Sequence, residues 1–239
     1  MAIDRALLPA QTKIAIVGKA PSSLALAPYH DDTWQIWTLS DLVLCGQALR
    51  YDVQFELHAP ELLKARPPYW DWLCRHENKP VVMREQVPEV KTCVVFPKDE
   101  IVQQYGRYFT NTVSWMIALA MEFKPTHIGV WGVDMACGPE YRAQRPSCEY
   151  FLGIAVGRGI EVVLPGECDL LKSAGLYGFD SHHLSDMAAK MKARRDELAK
   201  RIAECEQRRD QAALEAAYLQ GAKEDTVEYW SQWVQDHGA

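Results

Sequence analysis

His127-Ile128-Gly129-Val130-Trp131-Gly132-Val133-Asp134 decides the fold. A short uncharged run, rich in branched and aromatic residues and ending on Gly and an acid, suits a strand covered on both faces. Working outward, Lys13–Val17 is a similar run that stops at Gly18, and Trp34–Leu39, Val53–Leu57 and Pro80–Met83 follow the same rule. Ile160–Leu164 is the last, stopped by Pro165-Gly166. Thr112 to Phe123 has helical length and few breakers, with Thr110, Asn111 and Thr112 as candidate N-caps, and Ser147 to Val156 reads as a second helix. Strands alternating with helices at this spacing imply right-handed crossovers and a doubly wound, mostly parallel α/β sheet.

The chain has 239 residues, enough for one large or two small domains. Hydrophobic residues at 48% and charged residues at 24% exclude a disordered or collagen-like chain. A net charge of −6 argues against a wholly basic nucleic-acid coat. No apolar stretch approaches a membrane span. Met1-Ala2-Ile3-Asp4-Arg5 lacks the basic-then-apolar layout of a signal peptide. The seven cysteines are odd in number and include no C-x-x-C pair, so reduced thiols and a cytoplasmic location are expected. The seven histidines are not spaced to complement those thiols, and no structural zinc site is expected.

Composition shifts near residue 180. An α/β body over 1–180 and a helical tail over 181–239 are expected. In the tail, Leu184, Met187, Met191, Leu198, Ile202 and Cys205 fall at three- and four-residue steps, and a second stripe runs from Leu214 to Trp233. Neither stripe continues cleanly through 206–210, which predicts an antiparallel helical hairpin; one long bent helix is the alternative. The apolar stripes suggest self-association as a coiled coil. Eight Lys and Arg between 190 and 210, against five acids, read first as a solvated helix face and second as a nucleic-acid contact.

Ligands of open parallel sheets bind beyond the carboxyl ends of the strands. That rule gathers the candidate residues onto one rim. Gly18 permits a tight turn, Pro21 suits a first helical turn, and Lys19, Ser22 and Ser23 offer groups for a phosphate at a helix N-terminus. Neither the Walker nor the G-x-G-x-x-G spacing is present. Ser40 and Asp41 follow the second strand. Glu56 lies inside an apolar run, either at a surface strand position or buried beside a partner, and His58 reads as a general base or a loop residue. Asp134 ends the central strand. The dense polar segment Glu140 to Tyr150 carries Gln144, Arg145 and Glu149. Arg145 reads as a clamp for a phosphate or carboxylate, with an internal Arg–Glu brace as the alternative.

Gly18-Lys19-Ala20-Pro21-Ser22-Ser23-Leu24 resembles the G-x-G-P-S-L turn of small bacterial sialyltransferases and of the related 6-hydroxymethylpterin diphosphokinase-like proteins. Tyr108 to Ala120, followed by Ile128 to Asp134, is similar to their T-S-x-x-x-M-x-x-A-I-A-L-G-Y-K-x-I-x-L-x-G-I-D block. The resemblance covers most of 12–180. The Phe-Glu-x-His, Gly-Val-Asp-Met and Gln-Arg-Pro-x-x-Glu-Tyr segments also look like those of tailed-phage proteins. The resemblance implies a Rossmann-like fold and a nucleotide or nucleotide-sugar donor held by Gly18, Lys19, Ser22, Thr110 and Asn111. The family's catalytic histidine falls where this chain reads Gln144-Arg145, and no histidine occurs between His127 and His182. Glutamine cannot act as a base. The expected activity is therefore a glycosyltransferase-like direct displacement on a hydroxyl acceptor such as modified DNA or a glycan, its base drawn from Glu56, His58, Asp134 or Glu149. A Mg-dependent pyrophosphokinase, with Asp134, Asp41 or Glu56 on the metal, and a non-catalytic nucleotide- or partner-binding protein are the alternatives.

Overall fold

The computed structural model describes residues 12–135, 139–173, 176–179 and 184–237, with the side chains of 139–142, 184–190 and 235–237 outside the description. The first-turn residues Gly18–Leu24 and the body's strands all fall within it. Glu140 to Arg142 and the start of the tail stripe do not have described side chains.

Seven strands form one all-parallel sheet in the order β5-β4-β3-β2-β1-β6-β7. They are β1 Lys13–Val17, β2 Trp34–Leu39, β3 Val53–Glu56, β4 Val81–Met83, β5 Cys93–Val95, β6 His127–Trp131 and β7 Glu161–Val163. The doubly wound α/β fold is as expected. Six of the seven strands follow the sequence pattern. β5 does not: its three residues are half-buried or exposed and sit at the sheet's edge, where little apolar patterning is required.

Strand alternation assigns the two faces. Ile14, Ile16, Trp37, Val53, Phe55, Ile128 and Val130 pack under α4 (Lys98–Tyr105), α5 (Thr112–Glu122) and α6 (Pro139–Gly157). On the other face Ala15, Val17, Ile36 and Trp131 form a second cluster, and Val81 and Met83 a third beneath α2 (Pro60–Lys64) and α3 (Pro67–Arg75). Eight residues of α5 are buried, which makes it the helix that secures the sheet's centre. At about 1.5–3 kcal/mol per large buried apolar side chain, Met116, Ile117 and Leu119 alone contribute several kcal/mol to the gross driving force.

Two helical expectations are corrected. The helix expected from Ser147 begins at Pro139, with Pro146 inside it. Pro146 mimics a first-turn signal, because proline is tolerated there, but here it lies inside α6 and removes one backbone hydrogen bond from it. The tail is one helix, α7 Leu184–His237, not a hairpin. Glu206 to Asp210 interrupts the apolar stripe but holds no Gly or Pro, and charged residues of this kind propagate a helix readily. The chain divides into two compact units, Met1–Lys172 and Ser173–Ala239. Among the described residues no helix is long and apolar enough to cross a membrane.

Candidate functional site

Strand order reverses between β1 and β6, so the crevice of a doubly wound sheet opens there. Two glycines close its floor. Gly18 donates to the carbonyl of Trp131 (2.8 Å) and Ala20 to that of Gly132 (2.7 Å). A Cβ on Gly18 would stand 2.4 Å from the Gly132 carbonyl oxygen. Gly132 has φ +63°, and a Cβ there would stand 2.3 Å from the Gly18 carbonyl oxygen. The two turns cross at a distance that only glycine permits.

Both serines of the first turn bond to the segment after β6, Ser23 buried and Ser22 exposed. Ser23 Oγ, fully buried, accepts from the Gly132 amide (2.8 Å), and Ser22 Oγ donates to Asp134 Oδ2 (2.6 Å). The helix they open, α1, is only Pro21–Leu24. A single turn of helix sums few peptide dipoles. The first turn ties the ends of β1 and β6 together and fixes Asp134.

Beyond this knot a string of charged groups follows the rim across β1, β2 and β3. Lys19 and Arg66 both pair with Asp41, Arg66 Nη2 to Oδ2 at 2.6 Å. Burial pushes the Asp41 carboxyl up, but the hydrogen bond and charge of Lys19, with Arg66, more than offset it and hold it below its ordinary value. Both cations are about half exposed. Ser40, at φ 53°, turns the chain into Asp41, and its carbonyl accepts from Gln54 Nε2 (2.5 Å).

Glu56 and Gln54 lie on the strand face opposite Phe55, over α3. Gln54 Oε1 accepts from Thr38 (2.7 Å), and its amide donates to the Tyr69 hydroxyl (3.2 Å). The Arg66 guanidinium sits 5.3 Å from the centroid of the same tyrosine ring. Glu56 is 1% exposed. Its Oε1 accepts from His58 Nδ1 (2.5 Å) and from the His58 amide (3.1 Å). Its Oε2 is also buried, and the Tyr69 hydroxyl lies near the carboxylate. Burial first, and then the Glu56 charge, push the Tyr69 hydroxyl far above its usual value, so it stays protonated.

A carboxylate only accepts, so Nδ1 carries the hydrogen and Nε2 of neutral His58 keeps its lone pair. The hydrogen bond to Glu56 raises the His58 pKa; burial opposes it, the Glu56 charge adds to it and Arg66 opposes it. The side chain is 54% exposed. A buried carboxylate that orients and strengthens a half-exposed imidazole is the arrangement of a general base.

Three further expected residues form a separate polar joint. Asn111 caps α5 by accepting from the Ser114 amide (2.9 Å), and its Nδ2 donates to the Gln144 carbonyl (3.0 Å). Thr110 Oγ1 meets Ser147 Oγ (2.6 Å). Phe109, stacked between Trp115 (3.6 Å between centroids) and Phe151 (4.4 Å), anchors the loop that carries them. The joint supports α6 around Pro146.

Arg145 and Glu149 form a brace. Nε of Arg145 donates to Glu149 (2.8 Å), and Nη2 donates to the carbonyls of Asp169 (2.8 Å) and Lys172 (3.1 Å). Glu149 also accepts from the Leu171 amide (2.9 Å). These contacts pin 169–172 to α6, which matches the internal Arg–Glu alternative. Cys148 is buried, and burial pushes its thiol up to about 12, so it is no nucleophile at neutral pH. Among the described residues no three His, Cys, Asp or Glu side chains converge on a metal-sized position.

Arg66, Tyr69 and Gln54 escape the sequence reading. Arg66 precedes Pro67-Pro68, and Gln54 sits inside an apolar strand; a buried amide in such a strand is the one signal pointing to them.

No protein-family model and no curated protein sequence matches the chain. Among solved structures it is similar to the Campylobacter jejuni sialyltransferase CstII in complex with the substrate analogue CMP-3FNeuAc, at 12% identity over 67% of this chain and 85% of that one, with a TM-score of 0.47. CstII in complex with cytidine-5′-monophosphate gives 12%, the same coverage and 0.43. The monofunctional alpha-2,3-sialyltransferase Cst-I of the same organism gives 11% identity over 78% of this chain and 95% of that one, with a TM-score of 0.44.

Proposed function

We propose that the chain is a nucleotide-sugar-dependent glycosyltransferase acting by direct displacement on a hydroxyl acceptor, with His58 as base and Glu56 as its positioning partner. The observation that carries this reading is the Glu56–His58 pair: a 1%-exposed carboxylate at 2.5 Å from the ring of a half-exposed histidine, at the carboxyl edge of a parallel sheet. It supplies the base that the resemblance to the sialyltransferases requires and that Gln144-Arg145 cannot.

His58 Nε2 takes the acceptor proton as the acceptor oxygen bonds to the anomeric carbon. The bond from that carbon to the donor phosphate oxygen breaks, and the nucleotide leaves with the electron pair. Lys19 and Arg66, two half-exposed cations sharing the single Asp41 carboxylate, offer positive charge to that phosphate. Asp134, held by Ser22 beside the crevice, is placed for a ribose or sugar hydroxyl. The acceptor class, a glycan or a modified DNA hydroxyl, follows from the phage-like segments. Arg145 and Glu149, engaged in the 169–172 brace, take no catalytic part in this step.

The test is release of free nucleotide from CMP-, UDP- and GDP-sugars with saccharide or hydroxymethylated-DNA acceptors. The reading expects release from at least one donor, lost in His58→Ala while the donor still binds. A His58→Ala variant with full activity contradicts it.

A further inference from the structure

The tail helix has a charge pattern that its apolar stripe alone does not explain. Between 192 and 209 seven Lys and Arg stand against four acids; between 210 and 228 the single Lys223 stands against five, Asp210, Glu215, Glu224, Asp225 and Glu228. One half is basic and the other acidic. The helix is 54 residues long, about 80 Å at 1.5 Å per residue. From 191 to 234 every side chain is exposed except Arg194 and Leu198, which are half-buried. The exposed set includes Ile202, Leu219, Trp230 and Trp233, the last two stacked at 5.5 Å. A helix of this length with large apolar side chains in water gains most of its stability from packing against a partner.

The seven-residue recurrence Met191, Leu198, Cys205, Ala212, Leu219, Thr226, Trp233 runs through both halves. A seven-residue period supplies one of the two seam positions of each heptad; the position four residues on reads Arg195, Ile202, Arg209, Ala216, Lys223 and Trp230, apolar at three of six. A parallel, in-register partner would set the basic half against a basic half and the acidic half against an acidic one. An antiparallel partner of the same sequence sets each basic half against an acidic half, and Ala212, small and near the middle of the repeat, allows close approach where the two cross.

We infer that α7 is an antiparallel homodimerisation helix whose occupant is a second copy of this chain. The pairing is isologous, as two-fold symmetry requires, and the charge asymmetry sets its direction.

The native full-length chain in sedimentation equilibrium at physiological salt tests it. The expected mass is twice the 27.1 kDa of the chain, falling toward the monomer as salt is raised. Direction is read by mild oxidation with peptide mapping. Leu219→Cys is expected to link Cys205 of one copy to position 219 of the other, and the native chain is expected to give no Cys205–Cys205 link. Charge reversal supplies a further arm: Lys200→Glu/Arg201→Glu and Glu224→Lys/Asp225→Lys are each expected to dimerise at least tenfold more weakly, and their equimolar mixture to recover the dimer, with helix content followed by circular dichroism. A monomeric native chain overturns the inference. So does a Cys205–Cys205 link in the native dimer, or a monomer that gains mass only on short duplex DNA.

Discussion

Gly132→Ala perturbs the crossing of the β1 and β6 turns directly. Gly132 has φ +63°, where a side chain costs about 1–2 kcal/mol. Its new Cβ would also stand 2.3 Å from the Gly18 carbonyl oxygen and 2.8 Å from the carbonyl carbon, so backbone must move by about 1 Å, an overpacking that costs roughly 1–3 kcal/mol. The sum, about 2–5 kcal/mol, is a large share of a typical stability of about 5–15 kcal/mol. For a unit of this size it predicts a Tm lower by roughly 5–15 °C. Gly18→Ala meets the same wall at 2.4 Å without a positive φ, so a smaller loss is expected. Gly153→Ala is the control: it lies in α6 with open space around its Cβ, and Ala there stabilises by about 0.5–1 kcal/mol. Thermal and urea unfolding of the three variants give the order. A Gly132→Ala protein as stable as the parent would refute the close crossing.

Ser23→Ala removes the buried acceptor of the Gly132 amide, and urea unfolding is expected to show a loss of about 1–3 kcal/mol. Arg145→Ala frees the segment after residue 165, so faster proteolysis there and a lower Tm are expected, with donor binding retained; loss of donor binding without loss of stability would instead restore the clamp reading. His58 must be neutral to act, and Glu56 raises its pKa, so activity falls as pH drops through that raised value; Glu56→Gln lowers the pKa, and the acidic limb of the rate profile is expected to move to lower pH as the rate falls. The same pair makes a linkage contribution of defined sign: it is fully present below the unfolded value of 6.5 and fades as pH rises through the higher folded pKa, which a pH series of unfolding midpoints, native against Glu56→Gln, reads out.

The parallel sheet is legible because burial on both faces forces near-continuous apolar runs, and β1 and β6 have them. β5 is not, since three half-exposed edge residues need no pattern. Asn111 as a cap is legible because capping is local chemistry. The use of Ser22 and Ser23 is not: their partners lie 112 and 109 residues away, across the crossing. Alternation raised burial of Glu56, yet only packing under Tyr69 on α3 gives it a dry environment. Arg145 had a local sign, Glu149 one helical turn on, but its two carbonyl partners lie 24 and 27 residues further and complete the brace. The tail's single helix is not legible from its stripe: a break in apolar spacing at 206–210 suggests a turn, whereas a stretch without Gly or Pro lets the backbone continue helical.

The rim from Asp134 through Lys19, Asp41 and Arg66 to Glu56 and His58 is proposed to grip a nucleotide-sugar. Thermal unfolding of the native chain and of Lys19→Ala/Arg66→Ala, scanned with CMP, UDP, GDP and their sugars, measures it most directly. At a ligand concentration of 100 times Kd binding stabilises by about 2.7 kcal/mol, which raises Tm by roughly 5–10 °C. Such a rise is expected for at least one nucleotide or nucleotide-sugar, and its loss in the double variant. No rise with any of them, or an equal rise in the double variant, would contradict it.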